Sequence, residues 1–159
     1  MTPKWIERFV QLAKTARTWV KGPDLGVGAC LVSPDLRGIS LGFSGYPRGI
    51  CDSSERLGNT VVKDQVLVHA ELNAILNAGR SVEGWTMFTT KPSCCQCAAA
   101  MVQAGIVHVY TPPVEAESRW ADNQRAALEY LREAGVRVTF YYTREEGPVH
   151  ASEDGDLNV

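Results

Sequence analysis

Two short strings in this 159-residue chain carry side chains that bind metals and move protons: His69-Ala70-Glu71 and Cys94-Cys95-Gln96-Cys97. One imidazole and two thiolates form a three-ligand zinc site, and a tetrahedral ion held by three protein groups keeps its fourth position open. A structural site would add a fourth Cys or His, and none stands at a natural spacing from the cysteine pair. We therefore predict a catalytic Zn²⁺ site with His69, Cys94 and Cys97 as ligands.

The second position after His69 is a carboxylate, Glu71. It can reach a water molecule beside the metal without being a ligand, and it can carry protons between water, a ring nitrogen and a leaving amine. We predict that Glu71 is the catalytic residue. Two alternatives stay open from these residues. A Cys-x-x-Cys pair opening a helix also occurs in thiol redox proteins, and a zinc-stabilised binding module would need no catalysis.

The chain has five cysteines, and three of them stand within four positions. This clustering favours metal binding in a reducing compartment over a disulfide framework, so we expect a cytoplasmic protein. Cys95 is predicted not to bind the metal, because a residue one position after Cys94 faces a different direction on a helix. Cys30 lies in an apolar run and is predicted to be a small buried hydrophobe. For Cys51 an additional role as a metal ligand is an open alternative.

Helical and strand patterns alternate along the chain and predict how the two strings are positioned. Apolar spacing predicts helices over 5–20, 69–78, 95–104 and about 117–134. Short apolar runs predict strands over 26–33, 39–43, 85–89, 106–110 and 136–142. This order predicts an α/β protein, a three-layer α/β/α sandwich with a five-stranded mixed sheet. Both metal-binding strings would then open helices.

Two polar segments flank or interrupt this pattern. Residues 44–64 have no sustained period and predict a long loop that forms the rim of a substrate site. Residues 144–159 are polar and acidic, so we expect one domain over 1–143 and a polar, flexible tail over 144–159. The 16 basic and 18 acidic residues give a net charge of -2, which argues against a nucleic acid polymer as partner. No stretch approaches 18 apolar residues, so no membrane partner is expected.

The motifs resemble those of one enzyme family. His-x-Glu with Cys-x-x-Cys is the signature of zinc nucleobase deaminases. The string from His69 to Leu76 resembles the deoxycytidylate deaminases more narrowly, and so does the loop Gly45-Tyr46-Pro47-Arg48-Gly49 followed by Asp52 and Glu55-Arg56. The resemblance covers about residues 5–142. It implies a cytidine-deaminase-like sandwich, zinc-dependent hydrolytic deamination of a cytosine nucleotide, and a homo-oligomer.

The resemblance also implies substrate contacts at Ser44, Arg48, Ala70 and Ser93. Ser44 stands where the family usually has Asn. Ser93 separates Pro92 from the first cysteine, whereas the family usually has proline directly before that cysteine. The departure at Ser93 would alter the carbonyl that contacts the substrate amine.

A phosphate is the substrate group that the loop suggests. Arg48 stands between glycines, where its guanidinium and the backbone amides could share a monophosphate. The expected reaction is therefore dCMP to dUMP plus ammonia, on a small-molecule nucleotide. Alternatives are another cytosine nucleoside or base, or a tRNA adenosine. In a further alternative, Arg48 and Arg56 only pair with Asp52 and Glu55 on the surface.

Overall fold

In this computed structural model, which describes residues 1–22, 26–142 and 150–152, one mixed β-sheet lies between two layers of helices. The strands are β1 Gly28–Val32, β2 Ile39–Phe43, β3 Thr86–Thr89, β4 His108–Thr111, β5 Arg137–Tyr142 and β6 His150–Ser152. Their order in the sheet is β2-β1-β3-β4-β5-β6. The pairs β3–β4 and β4–β5 are parallel, and the other pairs are antiparallel.

The helices are α1 Pro3–Arg17, α2 Ser54–Gly58, α3 Thr60–Val66, α4 Ala70–Asn77, α5 Cys95–Gln103 and α6 Ala121–Glu133. The apolar side of α1 packs on one face of the sheet, and α4, α5 and α6 pack on the other. The three-layer α/β sandwich predicted from the sequence is therefore confirmed, and all five predicted strands are present. The short strand β6 extends the sheet beside β5, inside the segment that was predicted to be a tail.

Strand β1 shows why its residues form the centre of the sheet. All five of its residues are buried. Ala29 and Leu31 join the core under α4, α5 and α6, whereas Cys30 and Val32 join the core under α1. A strand covered on both faces needs a continuous apolar run. Burial raises the pKa of the Cys30 thiol to about 12, which agrees with its predicted role as a buried hydrophobe.

Helix α4 lies close to strand β2, and a glycine makes this possible. A Cβ atom at Gly42 would lie 2.1 Å from the Ala70 carbonyl oxygen and 2.4 Å from the Ala74 amide nitrogen. The hydroxyl of Ser40, on the same strand, donates a hydrogen bond to the Ala74 carbonyl oxygen at 2.7 Å. The contact between β2 and α4 therefore fixes the start of α4, where the first metal-binding string lies.

The prediction of a loop over 44–64 is wrong in part, because this segment contains α2 and most of α3. Side chains of Ser53 and Asn59 cap the two helices by accepting hydrogen bonds from backbone amides. The helices have five and seven residues, so neither completes two turns, and no apolar period can develop over so short a length. Neither helix contains a buried residue.

Other boundaries differ by a few residues. Helix α1 ends at Arg17, three residues before the predicted end, and α6 begins at Ala121 rather than near residue 117. Residues 143–149 and 153–159 lie outside the described residues, so the division into a domain over 1–143 and a tail over 144–159 stays a prediction. In the described part of the chain, no helix has the length and apolar character needed to cross a membrane.

Candidate active site

The first residue of each metal-binding string stands at the start of a helix. His69 is the N-cap of α4 and Cys94 is the N-cap of α5. Both have extended backbone conformations, and neither side chain caps its own helix. Cys97 lies three residues after Cys94, and side chains with this spacing at a helix start lie close together. The imidazole and both sulfurs are therefore available to a common centre.

The three side chains form one cluster. His69 Nδ1 lies 3.3 Å from Cys94 Sγ and 3.4 Å from Cys97 Sγ, and the three atoms are all within 4.8 Å of one another. Around a tetrahedral zinc ion with bonds of about 2.0–2.3 Å, neighbouring ligand atoms stand about 3.5 Å apart. Among the described residues, no other group of three His, Cys, Asp or Glu side chains has such an arrangement. The donor set and its spacing fit zinc.

His69, Cys94 and Cys97 shift one another's pKa values through their hydrogen bonds and charges. The hydrogen bond from Cys97, together with the His69 ring, lowers the pKa of Cys94 to about 4 despite partial burial. The same hydrogen bond, burial and the nearby Glu71 carboxylate raise the pKa of Cys97. The hydrogen bond with Cys94 raises the pKa of His69. Cys94 is thus stabilised as a thiolate, which is the form that binds a metal.

Helix α6 supports the turn that carries Cys94. The Gln124 side chain donates a hydrogen bond to the Pro92 carbonyl oxygen at 2.9 Å, in a buried position. The Asn123 side-chain oxygen accepts a hydrogen bond from the Cys95 amide at 3.0 Å. These roles of Asn123 and Gln124 could not be predicted from the sequence, because nothing in the local pattern of α6 shows that its first turn contacts the turn that carries Cys94. The Cys95 thiol donates a hydrogen bond to the Asn123 carbonyl oxygen, and Cys95 lies outside the metal cluster, as predicted.

Glu71 lies on the first turn of α4 and is 97% buried, since its relative exposure is 3%. It lines a cavity of about 410 Å³ together with His69 and Cys94. The cavity wall combines aromatic and aliphatic side chains with charged ones. Its apolar members are Trp19, Val20, Val27, Phe43, Leu57, Leu67, Pro92 and Trp120, and its charged members besides Glu71 are Lys21, Asp52, Lys63, Asp64 and Lys91.

Of the four residues predicted to contact the substrate, only Ser44 lines the cavity. Ser44 lines the cavity, and its hydroxyl accepts a hydrogen bond from the Val27 amide at 2.9 Å. Ala70 and Ser93 are buried beside the ligands but do not line the cavity. Arg48 is exposed on the surface and does not line it either. Sequence reasoning missed Lys91, although its position three residues before Cys94 was a signal that could have found it.

The sequence left open whether Asp52 pairs with an arginine of the rim and whether Cys51 is an additional metal ligand. Asp52 forms an ion pair with Lys21 at 2.6 Å rather than with an arginine. The Arg56 guanidinium donates to the Cys51 carbonyl oxygen at 2.9 Å. Cys51 itself is exposed and is not part of the metal cluster.

A buried carboxylate that lines one cavity with two of three potential zinc ligands, an imidazole and a thiolate, fits a zinc site that activates water for hydrolysis. Comparison with known proteins narrows this class. Residues 3–112 match the model of the cytidine and deoxycytidylate deaminase zinc-binding region, so the chain belongs to this family. Zinc is accordingly its cofactor.

Several relatives support the assignment. An uncharacterized deaminase from the luxG 3' region of Aliivibrio fischeri is 38% identical over 142 residues, which cover 88% of this chain and 95% of that one. Human deoxycytidylate deaminase is 33% identical over 143 residues, covering 86% of this chain and 78% of the human one. The crystal structure of dCMP deaminase from cyanophage S-TIM5 in complex with dCMP and dUMP superposes with a TM-score of 0.69 at 26% identity. It covers 88% of this chain and 98% of the phage chain.

Proposed function

We propose that this chain hydrolyses dCMP to dUMP and ammonia. In this proposal His69, Cys94 and Cys97 hold the zinc ion and Glu71 is the catalytic residue. The observation that carries it is the position of Glu71, which is buried and faces the same cavity as His69 and Cys94. The relatives named deoxycytidylate deaminase and the phage dCMP deaminase complexed with dCMP and dUMP support the choice of substrate.

The chain's own side chains divide the reaction between them. When bound, zinc supplies Lewis-acid chemistry that makes a water molecule a nucleophile near neutral pH. Glu71 takes a proton from that water and returns it to the pyrimidine ring nitrogen, and a second transfer reaches the departing amine. One water is consumed and one ammonia leaves, so a carbonyl replaces the amino group. Phe43 and Val27 form apolar parts of the cavity wall, which exclude bulk water from the pyrimidine ring of the substrate.

The phosphate of the substrate needs cationic partners at the mouth of the cavity. Lys91 is exposed, lines the cavity and directly precedes the turn that carries Cys94. We propose that Lys91 contacts the phosphate from the cavity wall and that Arg48 adds a contact from the rim. Ser44, Ala70 and Ser93 are retained as proposed substrate contacts, Ala70 and Ser93 through the backbone beside the ligands.

The test is a panel of cytosine nucleotides, nucleosides and free bases, with a tRNA adenosine substrate included, followed by ammonia release from the zinc-loaded protein. We expect dCMP to be turned over with the highest kcat/KM. Equal turnover of deoxycytidine and dCMP would show that the phosphate is not recognised. Preferred turnover of a base or of tRNA would identify the alternative substrates, and no ammonia from any member would identify a zinc-stabilised binding module.

Three further properties belong to this proposal. We propose that the protein is a homo-oligomer, supported by exposed apolar side chains such as Val61, Leu76 and Val107, which are 65%, 64% and 50% exposed. Light scattering coupled to size-exclusion chromatography tests this, and a monomeric mass would contradict it. We also propose a cytoplasmic location and a free nucleotide as partner, supported by five free thiols and the net charge of -2.

A further inference from the structure

Trp120 lies on the cavity wall beside the imidazole of His69. It is the N-cap of α6, it is half-buried, and it lines the cavity. Its ring lies perpendicular to the imidazole of His69, with 6.4 Å between the ring centroids. A pyrimidine held beside the metal ligands must therefore lie within a few ångströms of the indole.

Arg119 covers one side of this indole. The guanidinium carbon lies 5.1 Å from the centroid of the Trp120 ring, which is a cation–π distance. A face that is occupied by the guanidinium cannot contact a ligand. The surface that Trp120 contributes to the cavity is therefore the part of the ring directed away from Arg119.

Arg119 is itself held from across the entrance. Its two terminal nitrogens donate to the two carboxylate oxygens of Asp64, at 2.6 and 2.9 Å. Asp64 belongs to α3 and also lines the cavity. Because α3 has no buried residue, hydrophobic packing does little to hold it. A bidentate arginine–carboxylate pair has a defined orientation, so it can fix the direction of both side chains.

We infer that the Asp64–Arg119 ion pair is a positioning element, which holds Trp120 as the wall against which the substrate base stacks. The inference rests on the proposed function, because it places a pyrimidine base beside His69. Stacking of a base on an aromatic side chain contributes enough free energy to change affinity by roughly tenfold or more. The ion pair contributes through the orientation of the indole, so its effect on affinity is smaller.

The first experiment compares two substitutions of Trp120. Trp120→Ala should raise the KM for dCMP by roughly tenfold or more, whereas Trp120→Phe should recover most of the loss because it retains an aromatic face. Zinc content and far-UV circular dichroism show that both variants are folded. Equal impairment of the two variants, or an unchanged KM in Trp120→Ala, would overturn the stacking role.

A binding readout that does not need turnover accompanies this comparison. Titration of the zinc-loaded protein with dUMP should quench tryptophan fluorescence, and Trp120→Phe should lose most of the quenching. Trp19 also lines the cavity and is 48% exposed, so Trp19→Phe is the matched control and should retain most of it. The reverse pattern would assign the contact to Trp19 and would overturn the inference.

The second experiment breaks the ion pair. Asp64→Asn and Arg119→Gln should each raise the KM for dCMP by about two- to fivefold with little change in kcat, as expected for an exposed pair. The double variant should be no worse than either single variant, because both remove the same interaction. Asp122→Asn, which breaks the exposed pair between Asp122 and Arg125 on the first turn of α6, should leave KM unchanged. A KM in Asp64→Asn equal to that in Asp122→Asn would overturn the positioning role.

The outcomes separate this inference from the proposed function. Turnover of dCMP by the wild-type protein with no effect of the Trp120 variants overturns only the inference. Turnover of a different base in the panel overturns the proposed substrate, and the same Trp120 comparison made with that base then decides the inference. Absence of ammonia from every substrate overturns the proposed function, and the dUMP titration of the Trp120 variants, which needs no turnover, then decides the inference.

Discussion

The two sides of the cavity are built in opposite ways. On the metal side, at the starts of α4 and α5, the side chains of Glu71, Cys94 and Cys97 are buried, and α6 adds a buried hydrogen bond to the Pro92 carbonyl oxygen. On the entrance side, helices α2 and α3 contain no buried residue and contribute Leu57, Lys63 and Asp64 to the wall.

This difference matches the two tasks of the site. Proton transfer and metal binding require atoms placed within a fraction of an ångström, and packed elements with buried hydrogen bonds provide that precision. Substrate entry and release require a part of the wall that can open, and segments with few buried contacts open at low free-energy cost. Substitutions on the metal side should therefore abolish activity or folding, whereas substitutions on the entrance side should change affinity.

The largest effect is expected for the thiolate ligands. Cys94→Ser and Cys97→Ser should each lose zinc and all measurable activity, because each removes one of the three proposed protein ligands. Elemental analysis of the purified protein measures this, with about one zinc per chain expected in the wild type. Cys95→Ser is the matched control and should keep the metal, because the Cys95 thiol donates a hydrogen bond to the Asn123 carbonyl oxygen and does not join the cluster. Equal zinc loss in all three variants would contradict the ligand assignment.

The next largest effect is expected for Glu71, the proposed proton carrier. Glu71→Gln should lower kcat by about 10²- to 10⁴-fold, which is the usual contribution of a positioned general acid–base group. The zinc content should stay at the wild-type level, because Glu71 is not one of the three clustered side chains that are proposed as ligands. Ammonia release and elemental analysis on the same preparation separate the two roles. A variant that keeps zinc and a near wild-type rate would show that another group transfers the protons.

A backbone contact on the metal side should affect stability. Gly42→Ala places a Cβ atom 2.1 Å from the Ala70 carbonyl oxygen, so β2 and α4 must separate. We expect a loss of about 1–3 kcal/mol in the free energy of unfolding, as for other overpacked sites, measured by urea denaturation. Gly58→Ala is the control on the entrance side, because no atom lies within 4 Å of its added Cβ. Equal stability of the two variants would mean that α4 does not depend on this contact.

The smallest of these effects is expected for the two cations that are proposed to contact the phosphate. Lys91→Ala should raise the KM for dCMP about fivefold, since a charge-assisted contact of roughly 1 kcal/mol is lost at an exposed position. Arg48→Ala should have a smaller effect because Arg48 does not line the cavity. Neither variant should change the KM for deoxycytidine, which has no phosphate. Lys4→Ala, on α1 in the opposite helical layer, is the control. Equal changes for nucleotide and nucleoside would exclude a phosphate contact.

Much of the fold and the metal side could be predicted from the sequence. Long helices such as α1 and α6 show an apolar period, and the buried strand β1 shows a continuous apolar run, so both kinds of element were found to within a few residues. The ligand types and the spacing of Cys94 and Cys97 predicted the metal cluster, because the geometry of a single helix turn brings these two sulfurs together.

The entrance side was predicted poorly for a physical reason. Helices α2 and α3 are too short to show a period, and their exposed side chains carry no burial pattern. The Asp64–Arg119 pair depends on which surfaces face each other after folding, and a pair 55 positions apart has no local signature.

By itself, the sequence determined the chemical type of the site, because donor atoms and helix-turn spacing are local properties of the chain. Only the tertiary structure brought His69 within 3.3 Å of Cys94, 25 positions away, and directed Glu71 into the same cavity. It also decided which cations and which aromatic side chains line the cavity. These features depend on how closely helices pack on the sheet, as the contact of Gly42 with α4 shows, and such distances arise only from packing of the whole domain.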